Sequence, residues 1–150
     1  MYKLISTGLG IGYIPKGGGT VASVACCLCI YFFRPGGDYY DISISAVVTV
    51  ILIAVGILTS YKVESEWGKD NYRVVIDEIA GMWISLLFIP VKLSYIIAGL
   101  ILFRIFDIGK PFFIRKMENL PGGIGVMADD VLAGIYSNIL LQIAVAYNLL

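Results

Sequence analysis

Five apolar runs divide the chain, at residues 21–33, 42–60, 79–89, 93–103 and 131–150. They are long and continuous, without the two-residue alternation of a half-buried strand, so each reads as a helix and the fold as all-α. At a rise of about 1.5 Å per residue against about 30 Å of bilayer hydrocarbon, the second and fifth runs are long enough to span. The first spans only where the bilayer thins or the helix extends past the run's ends. The third and fourth flank Pro90, which breaks a helix or turns a tight hairpin. Short apolar helices also pack inside protein cores. The pattern predicts a multi-helical, membrane-embedded bundle that forms a single domain over residues 1–150.

The polar positions are grouped as clearly as the apolar ones. Charges cluster in two connections, 62–78 and 104–130, and only Lys92 interrupts the apolar stretch from 79 to 103. After the first run, in "RPGGDYYD", Arg34 is balanced by Asp38 and Asp41. Lys3 and Lys16 precede that run. The Lys/Arg bias puts both charged connections in the cytoplasm, the Pro90 region dipping in and returning, and the C-terminus outside. The candidate chemistry then lies at the cytoplasmic edge.

Composition strengthens the membrane reading and removes several chemistries. The chain is 59% hydrophobic and 15% charged, against about 45–50% and about 25% in soluble domains; its mean hydropathy is +0.87. A formal net charge of zero leaves no basic field for nucleic acid. With no histidine there is no Ser-His-Asp triad, no histidine base and no usual zinc site. Cys26, Cys27 and Cys29 have no second cluster to make a zinc site with, and Cys29 stands one residue too close to Arg34 for a Cys-x5-Arg phosphatase loop. They are expected as thiols buried in core or lipid. Glycines and Pro15 interrupt the N-terminal stretch where a signal peptide would need an unbroken apolar core.

Three polar clusters carry candidate chemistry. In "TGLGIGYIPKGGGT", residues 7–20, glycine-rich backbone runs into a helix start and offers N–H groups to an anion, with Lys16 nearby. It lacks the Gly-Lys-Ser/Thr of a Walker A loop and the strand–helix–strand setting of a dinucleotide site. The plainer alternative is a loop with Thr20 as N-cap. In "VIDEIAGMWI" and "GGIGVMADDVLAGIY", the pairs Asp77–Glu78 and Asp129–Asp130 stand at the entrances of apolar runs. Adjacent acids suit a helix N-terminus, but they also repel unless a cation sits between them. In "LFRIFDIGKPFFIRK", Arg104, Asp107 and Lys110 recur every three residues, on one face of a helix. A salt-bridge ladder explains them; so does function, because ionisable groups following an apolar run are costly. Asp77, Glu78, Asp107, Asp129 and Asp130 together form an all-oxygen donor set that selects Mg²⁺, Mn²⁺ or Ca²⁺. Neighbouring Arg and Lys suit a phosphate. The residues alone reach a metal-dependent site for a phosphorylated, membrane-embedded substrate, and no reaction.

At these same residues the chain resembles the phosphatidylglycerophosphatase A family, from "TGLGIGYIPKGGGT" through "IDEIAGMWI" and "FRIFDIGKPFFIR" to "GGIGVMADDVLAG", in order and spacing. It departs where the family commonly has Pro-Gly-Thr and here stand Gly18, Gly19 and Thr20. It departs again where Trp-Lys-Pro-Trp-Pro is usual and "GKPFF" is found, and at Glu118, where an Asp is frequent. The resemblance implies a Mg²⁺-dependent phosphatase of phospholipid biosynthesis (Mn²⁺ as alternative) in the bacterial inner membrane. Its substrate would be phosphatidylglycerol phosphate, its products phosphatidylglycerol and inorganic phosphate. The metal would sit on a subset of Asp77, Glu78, Asp129 and Asp130 and activate a water. Arg104, Lys110 and Arg115, with Lys16, Gly19 and Thr20, would bind phosphate. Lys110 or a protonated carboxylate would serve the leaving alkoxide. An aspartyl-phosphate at Asp107 is the alternative to direct hydrolysis. Two rival readings are a CDP-alcohol phosphotransferase-like enzyme, whose spaced Asp motif is missing, and a non-catalytic membrane scaffold whose charges pair with one another.

Overall fold

The computed structural model describes residues 1–33, 42–69 and 71–149; the Arg34–Asp38–Asp41 connection lies outside them. Every regular element among the described residues is helical. The helices are α1 (Tyr2–Ser6), α2 (Gly18–Phe33), α3 (Ile42–Trp67), α4 (Ile76–Ser85), α5 (Leu93–Gly109), α6 (Ile114–Met117) and α7 (Gly122–Ala146). A single 3₁₀ turn, Ile11–Tyr13, lies between α1 and α2. The all-α expectation holds.

Helix boundaries differ from the apolar runs in instructive ways. The charged connection 62–78 is not a loop throughout, because α3 carries on to Trp67. The connection 104–130 is likewise helical at both ends, through α5 and α7. Pro90 does not kink one helix; α4 stops at Ser85 and α5 starts afresh at Leu93. The backbone freed at the end of α4 is capped from α7, where the Asn138 amide donates to the carbonyls of Ser85 (3.1 Å) and Leu87 (2.8 Å).

Short α4 is the hub, packed by α2, α3, α5 and α7. Met82 of α4 and Leu86 just past its end, Phe103 of α5, and Ala133 and Leu141 of α7 make the main core with Cys26 and Cys27 of α2. Cys29 is exposed, so only two of the three thiols are buried in the core. A second core joins Val63, Ile76, Ala80, Val126 and Met127. The tightest approach is between α4 and α7, at Gly81 and Gly134. A side chain on Gly134 would stand 2.4 Å from the Gly81 carbonyl oxygen, and one on Gly81 2.6 Å from the Asp130 carbonyl oxygen. Only hydrogen fits at that crossing, so the two backbones nearly touch.

α3 and α7 are long and apolar enough to cross a bilayer. α3 keeps Ile44, Val47, Val50, Ile51 and Leu58 exposed, and α5 adds a stripe of Leu93, Ile97, Ile101, Ile105 and Ile108. This outer surface is far more apolar than water-facing helices carry.

Candidate active site

Helical spacing builds the site from the crossing outward. Asp77 precedes Gly81 by four residues, and Asp130 precedes Gly134 by four, so each acid lies one turn from the glycine on its own helix face. The Gly81–Gly134 approach therefore sets Asp77 and Asp130 opposite each other. Glu78 completes the group: one carboxylate oxygen from each of Asp77, Glu78 and Asp130 lies within 4.8 Å of the other two. Asp77 and Asp130 are buried, at 8% and 4% exposure. Burial, then the charge of Glu78, pushes the Asp77 carboxyl well above the usual carboxylate range. Burial raises Glu78 as well, partly offset by its hydrogen bond with Asp77. The Glu78 N–H donates to Asp77 Oδ1 at 3.0 Å, while Glu78 Oε2 is buried with no hydrogen-bond partner among the described residues.

Such a group fits a hard divalent cation. Its donors are all carboxylate oxygens, they converge, one is orphaned, and buried like charges cost stability until a cation offsets them. The geometry distinguishes the two acidic pairs. Asp77 and Glu78 do stand in the first turn of α4. Asp129 and Asp130 do not begin a helix: α7 starts at Gly122, and they are its eighth and ninth residues. The N-terminal explanation therefore fails for this pair.

α2 closes one side. A Cβ on Gly19 would fall 1.9 Å from Glu78 Oε1, so glycine lets the N-terminal turn of α2, the positive end of its dipole, approach the carboxylate. Thr20 is not the N-cap; α2 begins at Gly18 and Thr20 is exposed within its first turn. Lys16 and Arg115 are also exposed. Among the described residues no hydrogen bond or ion pair ties Lys16, Thr20 or Arg115 to the acids.

α5 brings the cations. Arg104 pairs with Asp107 at 2.5 Å, and Asp107 stands within hydrogen-bonding reach of Asp130. The ladder ends there. Lys110 caps α5 in the left-handed region, φ +43°, which turns its side chain toward α6 and α7. Its ammonium binds Asp129 Oδ2 at 2.7 Å and the carboxylate of Glu118. Burial works against the charged amine, but these two hydrogen bonds outweigh it and hold Lys110 above the usual lysine range.

Thus Asp77, Glu78, Asp107, Asp130, Arg104 and Gly19 meet, with Lys110 and Asp129 adjoining. Glu118, Gly81 and Gly134 are further residues of the site that the pattern of charges does not single out. The glycines did leave a signal, since "DEIAG" and "DVLAG" repeat one Asp-x-x-Ala-Gly spacing on the two helices that cross.

The family model for phosphatidylglycerophosphatase A matches residues 4–145. A Bacteroides thetaiotaomicron protein named "Putative phosphatidylinositol-3-phosphatase" is 45% identical, over 94% of this chain and 91% of its own. The Escherichia coli phosphatidylglycerophosphatase A is 33% identical over 91% of this chain and 78% of its own. The Haemophilus influenzae protein of the same name is 34% identical, over 98% and 90%. No solved structure matches. The match runs across every helix that contributes to the acidic cluster, and on that ground the chain belongs to the phosphatidylglycerophosphatase A family.

Proposed function

We propose that the protein is a membrane-embedded, Mg²⁺-dependent phosphatase that hydrolyses phosphatidylglycerol phosphate to phosphatidylglycerol and inorganic phosphate. The observation that carries this reading is the convergence of Asp77, Glu78 and Asp130 beside Arg104 and Lys110, in a chain whose family is a phosphatase family. α3 and α7 cross the inner membrane, and the charged end of the bundle faces the cytoplasm, where the Lys/Arg bias puts it.

Asp77, Glu78 and Asp130 would hold Mg²⁺, with Mn²⁺ as substitute. When bound, the ion supplies a lowered water pKa and positive charge for phosphate oxygens. The chain's own residues do the rest. Arg104, oriented by Asp107, faces charge that develops on the equatorial oxygens of a loose phosphoryl transition state. Lys110, kept protonated by Asp129 and Glu118, sets a cation beside the leaving glycerol oxygen. The α2 N-terminus at Gly19 adds backbone dipole on the same side. Burial of the acids excludes bulk water from the cluster, where charge interactions are strongest.

A second reading shares the chemistry and changes the alcohol. The 45% relative is named for a 3-phosphoinositide, so the substrate would be a phosphomonoester on an inositol headgroup. The test is phosphate release by purified protein in detergent micelles, from phosphatidylglycerol phosphate and from phosphatidylinositol 3-phosphate, with Mg²⁺ or EDTA. Release from the glycerol ester, lost in EDTA, is expected. Preference for the inositol lipid would replace the substrate, and full activity in EDTA would sink the metal mechanism. No product with added CMP separates the enzyme from a phosphotransferase.

A further inference from the structure

Asp129 and Asp130 are neighbours in sequence but part company in space. Successive helical residues point about 100° apart. Asp130 turns to α4 and joins Asp77 and Glu78. Asp129 turns to the α5–α6 connection and meets Lys110 at 2.7 Å. The Lys110 ammonium also binds Glu118, just beyond the end of α6. Three elements are thereby tied to one nitrogen: the end of α5, the end of α6 and the third turn of α7.

We infer that Glu118 and Asp129 form a two-carboxylate clamp on Lys110, and that Asp129 acts on the substrate phosphate only through that lysine while Asp130 faces the cation. An ammonium has three N–H donors. Among the described residues, Asp129 and Glu118 take two of them, which leaves the third in a fixed direction for a substrate oxygen. A lysine on a free four-carbon stem would lose rotamer entropy each time it met a phosphate. The clamp removes that freedom beforehand, and the left-handed backbone at Lys110 starts the side chain in the required direction. Asp129 and Glu118 are positioning residues on this assignment. It rests on the metal-dependent phosphatase reading and divides the roles within it.

Mn²⁺ binding measured by electron paramagnetic resonance, alongside turnover of phosphatidylglycerol phosphate, tests the division on full-length protein in detergent. Asp130→Asn should weaken Mn²⁺ binding by about tenfold or more. Asp129→Asn should leave binding within about twofold yet slow turnover. Adding Asp129→Asn to Lys110→Gln should cost no further turnover, because a positioning residue has nothing left to position. Glu118→Gln, at the more exposed partner, should repeat the Asp129 pattern and carries the test if Asp129→Asn folds poorly. Equal loss of Mn²⁺ in the two Asp variants, or additive losses in the Lys110 double variant, overturns the division while the metal reading stands. A wild-type protein that turns over lipid but binds no Mn²⁺ removes both.

Discussion

A carboxyl group buried beside another carboxyl is a residue whose preferred state depends on what else is present. Asp77 and Glu78 are both held above their usual range in the folded protein. Without a divalent cation the folded form therefore binds more protons than the unfolded one. The stability this confers is full below the ordinary carboxylate range and is lost as pH rises through the raised values. Thermal melts in EDTA should accordingly fall in midpoint as pH rises from the acid side toward neutrality, and Mg²⁺ should flatten the fall. A melt equally stable across that window in EDTA would remove the electrostatic strain on which the cation site rests. Charge removal at Asp130 should have the kinetic counterpart. Asp130→Asn keeps the shape but not the charge, and turnover should drop by roughly 100-fold, or about 3 kcal/mol of barrier. Near-normal turnover would mean that Asp130 does not serve the reaction.

The crossing of α4 and α7 is the element on which those residues depend. Gly134 has no room for a side chain against the Gly81 carbonyl, and that neighbour is backbone, unable to swing aside. Gly134→Leu should force the helices apart at a cost of about 1–3 kcal/mol. It should also separate Asp130 from Asp77 and Glu78, so turnover should fall more than the melt suggests. Ile139→Ala, on the exposed face of the same helix, is the matched control and should leave turnover near normal. If Gly134→Leu melted lower yet hydrolysed lipid at the normal rate, the crossing would be packing alone. The same logic governs the start of α7. Gly123 approaches the Ile57 carbonyl so closely that a Cβ would lie 2.1 Å from it, and the glycine-rich segment forms helix because α3 lies against it.

For the whole molecule, the acidic cluster, Arg104 and the Lys110 clamp lie where the start of α2, the start of α4, the ends of α5 and α6 and the early turns of α7 meet. On the proposed reading this end of the bundle is the reactive one, and the exposed apolar flanks of α3 and α5 are the surfaces that would face lipid. With that end in the cytoplasm, Lys69→Cys and Lys116→Cys, both at exposed positions, should resist a membrane-impermeant maleimide on intact cells in a background without the native cysteines. They should label once the cells are permeabilised. Ready labelling from outside would invert the orientation.

Much of this was legible before any folding. Continuous apolar runs dictate helices because a buried backbone must satisfy its own hydrogen bonds. The ordered blocks around Asp77, Arg104 and Asp130 mark the family, and each holds its charged side chains at fixed helical spacing. The ion pair of Arg104 with Asp107 follows directly from an i,i+3 step. Other features required the tertiary structure. "PGGIG" looks like a loop until α3 supplies a surface that only glycine can approach, and its becoming helical moves Asp129 and Asp130 from a helix start into a helix interior. Lys110 belongs to a one-face ladder by spacing, but its left-handed turn takes it to Asp129 and Glu118 instead. Which of two adjacent acids joins the carboxylate cluster and which meets a lysine is set by what packs on either side of α7. Local spacing fixes the angle between them, and only neighbouring helices give each direction a partner.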